Sequence, residues 1–106
     1  MAVNQEILNI TEAIKKAVPA ERIYLFGSYA YGKPHENSDY DFFVVIPDGG
    51  MKPLDAMKQA RKAMIPIKRQ TPVDILADYR SRFEQRKNMN TLERKVASEG
   101  TVLYER

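Results

Sequence analysis

Residues 23–46 read IYLFGSYAYGKPHENSDYDFFVVI, and this stretch decides the fold. An apolar run ends at Gly27-Ser28, and a polar segment then leads through Asp39-Tyr40-Asp41 into a second apolar run. Two apolar runs separated by glycine, proline and polar residues are typical of two strands joined by a loop. We predict strands over residues 22–26 and 39–46, a short helix over 28–31, and a polar loop over 35–38.

The flanking sequence adds helices and two further strands. Isoleucine and valine recur at helical spacing over residues 5–18, which predicts an amphipathic helix. Pro53 suits the first position of a helix that runs to about Ile65. The later segments predict a strand over 73–77, helices over 80–87 and 91–98, and a last short strand over 102–104. The buried stripe of the helix over 53–65 is predicted to be Leu54, Met57, Ala60 and Met64.

This order of elements predicts an α+β fold with mixed α/β character, a small mixed β-sheet flanked by helices. With 106 residues, the chain is long enough for a single domain, residues 1–106. It has no cysteine, which excludes disulfides, thiolate zinc sites and cysteine nucleophiles. No apolar run approaches the ~20 residues of a membrane helix, and the first residues lack a signal-peptide pattern. We therefore expect a soluble, cytoplasmic protein without a membrane partner.

The charge balance gives only a weak indication of partners. The formal net charge is +3, with a sequence pI near 9.2. Such a balance mildly favours a polyanionic ligand, but an ordinary solvated surface explains it equally well. Nucleic acid is thus a possible partner that the sequence does not favour. Five basic residues without an intervening acid, Lys58, Arg61, Lys62, Lys68 and Arg69, are most simply a solvated face.

Gly27-Ser28 is a candidate phosphate-binding turn. A glycine directly after a strand allows a phosphate to approach the backbone closely. The first free amides of a following helix would point toward that phosphate, and the helix dipole favours its negative charge. The Ser28 hydroxyl would add a further donor. The alternative is a simple strand-to-helix turn, because Gly-Ser is common in turns.

Three aspartates occur at the head of, or inside, apolar strands. Asp39 and Asp41 alternate with Tyr40, so on a strand they share a face and lie about 7 Å apart. Asp74 interrupts the run over 73–77. Carboxylates beside an apolar face need a compensating cation or donor, and such hard oxygen ligands suit Mg²⁺. The alternative is an exposed strand end for the pair and a water-facing edge position for Asp74. Together with a phosphate-binding turn, the acids are consistent with two-metal chemistry.

Gly27-Ser28, ten further residues and then Asp39-x-Asp41 resemble the signature of the DNA polymerase β-like nucleotidyltransferase superfamily. The run GSYAYGKPHENSDYDFFVV is similar to the minimal nucleotidyltransferases of bacteria and archaea, and Asp74 and the C-terminal EGTVLYE extend the likeness. The resemblance implies a polymerase β-like palm fold. It also implies a reaction that moves a nucleoside monophosphate from an NTP, with AMP from ATP favoured, to a hydroxyl group.

The resemblance assigns roles to individual residues. Gly27 and Ser28 would hold the β- and γ-phosphates, and Ser38 would cap the loop or contact a phosphate. Asp39 and Asp41 would bind two Mg²⁺ ions, with Mn²⁺ as a substitute. Asp74 would bind the catalytic metal and help to deprotonate the acceptor.

One departure from the family concerns positive charge, because relatives often carry arginine where this chain has Tyr29 or Tyr31. Lys33 is the nearest replacement, although a solvated loop lysine is the simpler interpretation.

The resemblance also implies a partner. Minimal nucleotidyltransferases often pair with a small helical HEPN-domain protein, as antitoxins that attach AMP to a tyrosine of the toxin. Two other hypotheses belong to different classes. One is a non-catalytic binding module that neutralises a HEPN-type ribonuclease by contact, and the other is a nucleic-acid-binding domain. The sequence names neither the acceptor nor the preferred base.

Overall fold

The computed structural model describes residues 3–35 and 38–106, so Glu36 and Asn37 of the predicted polar loop lie outside the described residues. Within the described ranges, no helix combines the length and apolarity needed to cross a bilayer. In chain order the elements are α1 (Gln5–Ala17), β1 (Arg22–Phe26), β2 (Tyr40–Ile46), α2 (Pro53–Met64), β3 (Val73–Tyr79), α3 (Arg80–Arg86), α4 (Leu92–Glu99) and β4 (Thr101–Glu105).

Within the described residues, four strands form one mixed sheet in the order β3-β2-β1-β4. β1 is antiparallel to both β2 and β4, whereas β2 and β3 run parallel. Parallel strands need a crossover connection, and α2 supplies it. The predicted α+β fold, a small mixed sheet flanked by helices, is confirmed.

Helices α1 and α2 cover one face of the sheet. The isoleucines of α1 at positions 7, 10 and 14 are fully buried, as their helical spacing predicts. They join one apolar cluster with the strand residues Ile23, Leu25, Phe42, Val44, Ile46 and Ile75. Of the two buried apolar clusters in the described part of the chain, this is the larger.

Helices α3 and α4 cover part of the opposite face. Phe83 of α3 and Val96 of α4 are fully buried against Tyr24, Phe43 and Val45. The rings of Phe83 and Phe43 lie 5.2 Å apart between centroids. Because side chains alternate along a strand, Asp41 lies on the same face as Phe43 and Val45. Asp41 therefore belongs to the face that the short helices cover only in part.

The predicted helix over residues 28–31 is wrong. The segment makes a single turn, in which the amides of Ala30 and Tyr31 both donate to the Gly27 carbonyl. Gly32 then adopts φ +78, and the Lys33 amide donates to the Ser28 carbonyl. This pattern is the helix-ending motif in which a left-handed glycine stops the chain from continuing. The turn therefore does not continue into a helix.

The predicted buried stripe of α2 is wrong at one position. Ala56, Ala60 and Met64 are buried, and Met57 is half-buried, but Leu54 is 59% exposed. The stripe follows the spacing of Ala56, Ala60 and Met64, which turns Leu54 toward the opposite side of the helix.

Several boundaries differ by one or two residues. β2 begins at Tyr40, so Asp39 precedes the strand, and β3 continues to Tyr79. Thr91 is the N-cap of α4, since its side chain accepts a hydrogen bond from the Arg94 amide. Gly100 ends α4 with φ −71, a value that any residue can adopt. Glycine is needed there for lack of space, because a Cβ would meet the carbonyl oxygens of Val96 and Leu25.

Candidate active site

Asp41 and Asp74 are register partners on the parallel strands β2 and β3. Neighbouring strands lie about 4.8 Å apart, and paired residues point to the same face, so the two carboxylates are direct neighbours. On the other side of Asp41, Phe26 of β1 is its antiparallel partner. Asp74 is therefore found beside Asp41, as predicted, whereas Asp39 precedes β2 and has no register partner in the described part of the chain. β3 is an edge strand and Asp74 is exposed. The water-facing edge position that we gave as the alternative for Asp74 is therefore found as well.

The Asp41 carboxylate packs against the backbone of Gly27. A Cβ built on Gly27 would overlap Oδ2 of Asp41, and Gly27 has φ +76, a conformation that side chains disfavour. The sequence suggested that this glycine admits a phosphate. The structure adds a more local reason, which is that the glycine makes room for the first acid of β2.

The surroundings of Asp41 disfavour the ionised form of its carboxylate. Burial raises its pKa, and the charges of Asp74 and Asp39 raise it further, to about 6. No hydrogen-bond donor or cation contacts the Asp41 side chain within the described residues. Both Asp39 and Asp74 therefore lie within electrostatic range of the Asp41 carboxylate.

Tyr40 fixes the strand from the opposite face. It is buried, its hydroxyl donates to Oε1 of Glu6 at 2.7 Å, and it accepts from Nδ2 of Asn4 at 3.1 Å. Its ring packs edge-on against Tyr29, with 4.6 Å between centroids. Tyr40 therefore ties the start of β2 to the start of α1 and to the turn that follows Gly27. It lies between Asp39 and Asp41 in the sequence, so this anchoring sets the backbone that carries both acids.

The turn after Gly27 retains features of an anion site although it is not a helix. Within the described residues, no acceptor is found for the backbone amides of Ser28 and Tyr29. Successive free amides form a concave donor surface for anions. Ser38 is buried and closes the neighbouring loop, where its Oγ accepts from the His35 amide and its own amide donates to the His35 carbonyl. A phosphate contact of Ser28 or Ser38 stays a prediction.

Two basic side chains that the sequence did not assign to the site lie near it. Arg61 of α2 reaches Asp74, with 3.9 Å between Nη2 and Oδ1. Lys95 of α4 lies over the Tyr31 ring, 5.2 Å from its centroid. Neither contact was detectable from local sequence, because each joins elements that are distant along the chain. Lys33, the predicted replacement cation, is exposed.

The three aspartates offer suitable chemistry for a divalent cation without forming a closed ligand shell. In the described part of the chain, no three acidic or histidine side chains stand close enough to hold an ion together. Asp41 is nevertheless partly buried, lacks a donor and is repelled by two acids. A bound cation would relieve that repulsion, and carboxylate oxygens are the ligands that Mg²⁺ prefers. The chemistry of these side chains therefore suits a divalent cation.

A separate cleft lies on the other side of the sheet. Its volume is about 620 Å³, it runs between α1 and α2, and its lining includes Ala13, Ala63 and Ile67. None of the three aspartates lines it. The acid face therefore stands out by its chemistry and not by the volume of a pocket.

Comparison with known proteins agrees with this arrangement. A family model described as a nucleotidyltransferase domain matches residues 7–98. No curated protein shows significant similarity to the chain. A Sulfolobus solfataricus protein, described as a candidate nucleotidyltransferase and solved at 1.40 Å, is 21% identical with a TM-score of 0.65, over 96% of this chain and 79% of that one.

Two further similar structures come from toxin–antitoxin systems. One, a toxin–antitoxin with AMP-PNP, is 22% identical with a TM-score of 0.61, over 97% of this chain and 75% of that one. The other, a MntA–HpeT variant with two aspartates changed to glutamate, is 20% identical with a TM-score of 0.63, over 98% and 75%. At these identities the likeness establishes a shared fold.

Proposed function

Because the chain belongs to the nucleotidyltransferase domain family, whose model spans residues 7–98, we propose that it moves a nucleoside monophosphate onto a hydroxyl group. ATP is the favoured donor, and AMP is the group transferred. The observation that carries the proposal is the register pairing of Asp41 with Asp74, beside the turn at Gly27. It puts acidic groups and free backbone amides at one end of the sheet.

Asp39 and Asp41 are proposed to hold Mg²⁺ together with the nucleotide, and Mn²⁺ would substitute. Asp74 would join them at the catalytic metal. Magnesium bound there would supply the positive charge that activates an attacking oxygen and stabilises the leaving pyrophosphate. The half-buried position of Asp41 supports this assignment, because an ionised carboxylate in such a place needs compensation.

The reaction exchanges one phosphorus–oxygen bond for another. The acceptor oxygen attacks the α-phosphorus, the bond from that phosphorus to the bridging β-phosphate oxygen breaks, and pyrophosphate leaves. The acceptor proton passes to the carboxylate of Asp74, which acts as general base. The amides of the turn, the Ser28 hydroxyl and Ser38 would orient the phosphates. Asp74 is exposed at the sheet edge, where an acceptor can reach it.

The acceptor is proposed to be a tyrosine of a small helical HEPN-domain protein, with this chain acting as the antitoxin of the pair. Two of the similar structures are toxin–antitoxin structures, one of them with AMP-PNP. Those descriptions belong to the relatives and support the proposal only by analogy.

The test is transfer of a labelled nucleotide. The purified chain would be incubated with a co-encoded helical protein and each of the four α-labelled NTPs, with Mg²⁺ or with EDTA. Asp74→Asn should slow labelling by about 10²–10⁴-fold, the usual effect of losing a general base. Asp78→Asn is the matched control, since Asp78 lies on the same strand and face but four residues away. Absence of label with every NTP would refute transfer and favour neutralisation by contact.

A further inference from the structure

The outer side of α2 and the segment after it carry a concentrated positive charge. Residues 56–73 contain five basic residues and no acidic one. All five are exposed. They are Lys58, Arg61, Lys62, Lys68 and Arg69, and we call them the α2 basic surface.

Fewer of the basic residues on this surface form ion pairs than elsewhere in the described part of the molecule. Elsewhere many basic residues have acidic partners, such as Arg22 with Glu84 at 3.0 Å and Arg86 with Glu93 at 2.9 Å. Within residues 3–35 and 38–106, the ion pair that the α2 basic surface makes is that of Arg61 with Asp74. The surface therefore has positive charge available to a ligand, and it touches the proposed active site.

Apolar side chains are exposed on the same side of the helix. Leu54 is 59% exposed and Ile65 is 77% exposed. They are eleven residues apart, which is about three helical turns, so they share a face with Lys58 between them. The opposite side of α2 is the buried stripe that packs on the sheet. The free side of α2 thus combines cations with two apolar anchors.

We propose that this side of α2 docks the acceptor as an acidic protein segment that also carries apolar side chains. The proposal rests on the proposed function and names the class of its acceptor. Exposed apolar residues at such a surface fit a protein partner, whose interface combines apolar anchors with charges at its rim. Residues 53–69 contain no aromatic side chain on which nucleic-acid bases would stack. A protein is therefore favoured over a nucleic acid.

Arg61 links docking to chemistry. It is the member of the surface that contacts Asp74, so an acidic group paired with Arg61 lies next to the carboxylate that receives the acceptor proton. A segment held along α2 would then present a neighbouring hydroxyl at the sheet edge. Surface charges of this kind mainly steer association, and their effect weakens as salt rises.

The experiment measures docking without nucleotide, so that it does not depend on transfer. The probe is a fluorescein-labelled peptide with one tyrosine flanked by glutamate and leucine, and the matched probe has lysine in place of every glutamate. A labelled single-stranded RNA is the third probe. Binding is followed by anisotropy at low and at moderate salt. The full chain is used as wild type, Lys58→Glu/Lys62→Glu and the control Arg94→Glu/Arg106→Glu, which changes net charge equally.

The expected result is saturable binding of the acidic peptide, weakened about tenfold or more by Lys58→Glu/Lys62→Glu and by moderate salt. The control pair should bind like wild type, and Ile65→Ser should weaken the binding that remains at moderate salt. Equal binding of the two peptides, no saturable binding, or an unchanged Lys58→Glu/Lys62→Glu variant would overturn the proposal. Tighter binding of RNA through the same lysines would also overturn it, and would make the acceptor a nucleic acid.

Discussion

The carboxylate of Asp41 lies against the Cα of Gly27, in the space that a side chain at residue 27 would occupy. Gly27 also adopts φ +76. The glycine therefore meets two separate requirements, one of backbone conformation and one of space. The second requirement couples the turn after β1 to the acid of β2, so a change in the turn should disturb the acid directly.

Gly27→Ala tests this coupling. A non-glycine residue at such φ costs about 1–3 kcal/mol, and the methyl group would also displace the Asp41 carboxylate. Gly32→Ala is the matched control, because Gly32 has φ +78 but a methyl group there would meet no heavy atom within 4 Å. Both variants should lose stability in urea titrations, and only Gly27→Ala should also lose Mg²⁺-dependent ATP binding. Equal nucleotide binding by the two variants would show that the contact has no functional role.

The raised pKa of Asp41 predicts an unusual pH dependence in the absence of metal. Its pKa is about 6 in the folded protein and 3.8 in its ordinary state, so the folded state binds the proton more tightly. The resulting stabilisation is complete below about pH 4 and is lost as the pH rises through about 6. The ionised carboxylate thus opposes folding at neutral pH.

Asp41→Asn should accordingly stabilise the metal-free protein near neutral pH, by about 1–2 kcal/mol. This range discounts the ~1.4 kcal/mol per pKa unit for partial exposure. Near pH 4 the variant and wild type should be nearly equal. Urea unfolding in EDTA at both pH values measures the difference, with Asp55→Asn as an exposed control. A loss of stability in Asp41→Asn at neutral pH would contradict the origin we assign to the pKa shift.

Much of the fold follows from sequence pattern because burial imposes a period on each element. The isoleucines of α1 and the apolar run of β2 had to face the core, and both elements are found within one residue of the prediction. The prediction of a helix after Gly27 was wrong because the conformation of that segment depends on Gly32. Its left-handed conformation ends the turn at once, and local helix preference does not report it.

The acids of the candidate site could be proposed from the sequence, whereas the basic residues near them could not. Asp39, Asp41 and Asp74 stand out because each is a charge beside an apolar strand. The prediction for α2 placed Leu54 in the buried stripe, because spacing alone does not say which of the two apolar faces of the helix meets the sheet. Arg61 is contributed by a helix that crosses from β2 to β3, so its contact with Asp74 depends on the packing angle.

Tyr40→Phe tests the support behind the acids. The change removes the hydroxyl that bonds Glu6 and Asn4 and leaves the ring in place. Losing a buried hydrogen bond to a charged group costs about 1–3 kcal/mol, so the free energy of unfolding should fall by that amount. Tyr104→Phe is the control, because that ring is half-buried near the surface beside Lys15. A Tyr40→Phe variant as stable as this control would show that the hydrogen bonds contribute nothing to the strand.

The central claim is that Asp39 and Asp41 hold a metal–nucleotide complex beside Gly27, while Asp74 acts on the acceptor. Calorimetric titration of ATP into the protein, with Mg²⁺ and then with EDTA, tests it most directly. We predict binding that requires the cation, that is largely abolished in Asp41→Asn, and that is mostly retained in Asp74→Asn and in the control Asp78→Asn. An amide cannot supply the negative charge that holds the cation. Equal ATP affinity with Mg²⁺ and with EDTA, or an unimpaired Asp41→Asn variant, would contradict the account.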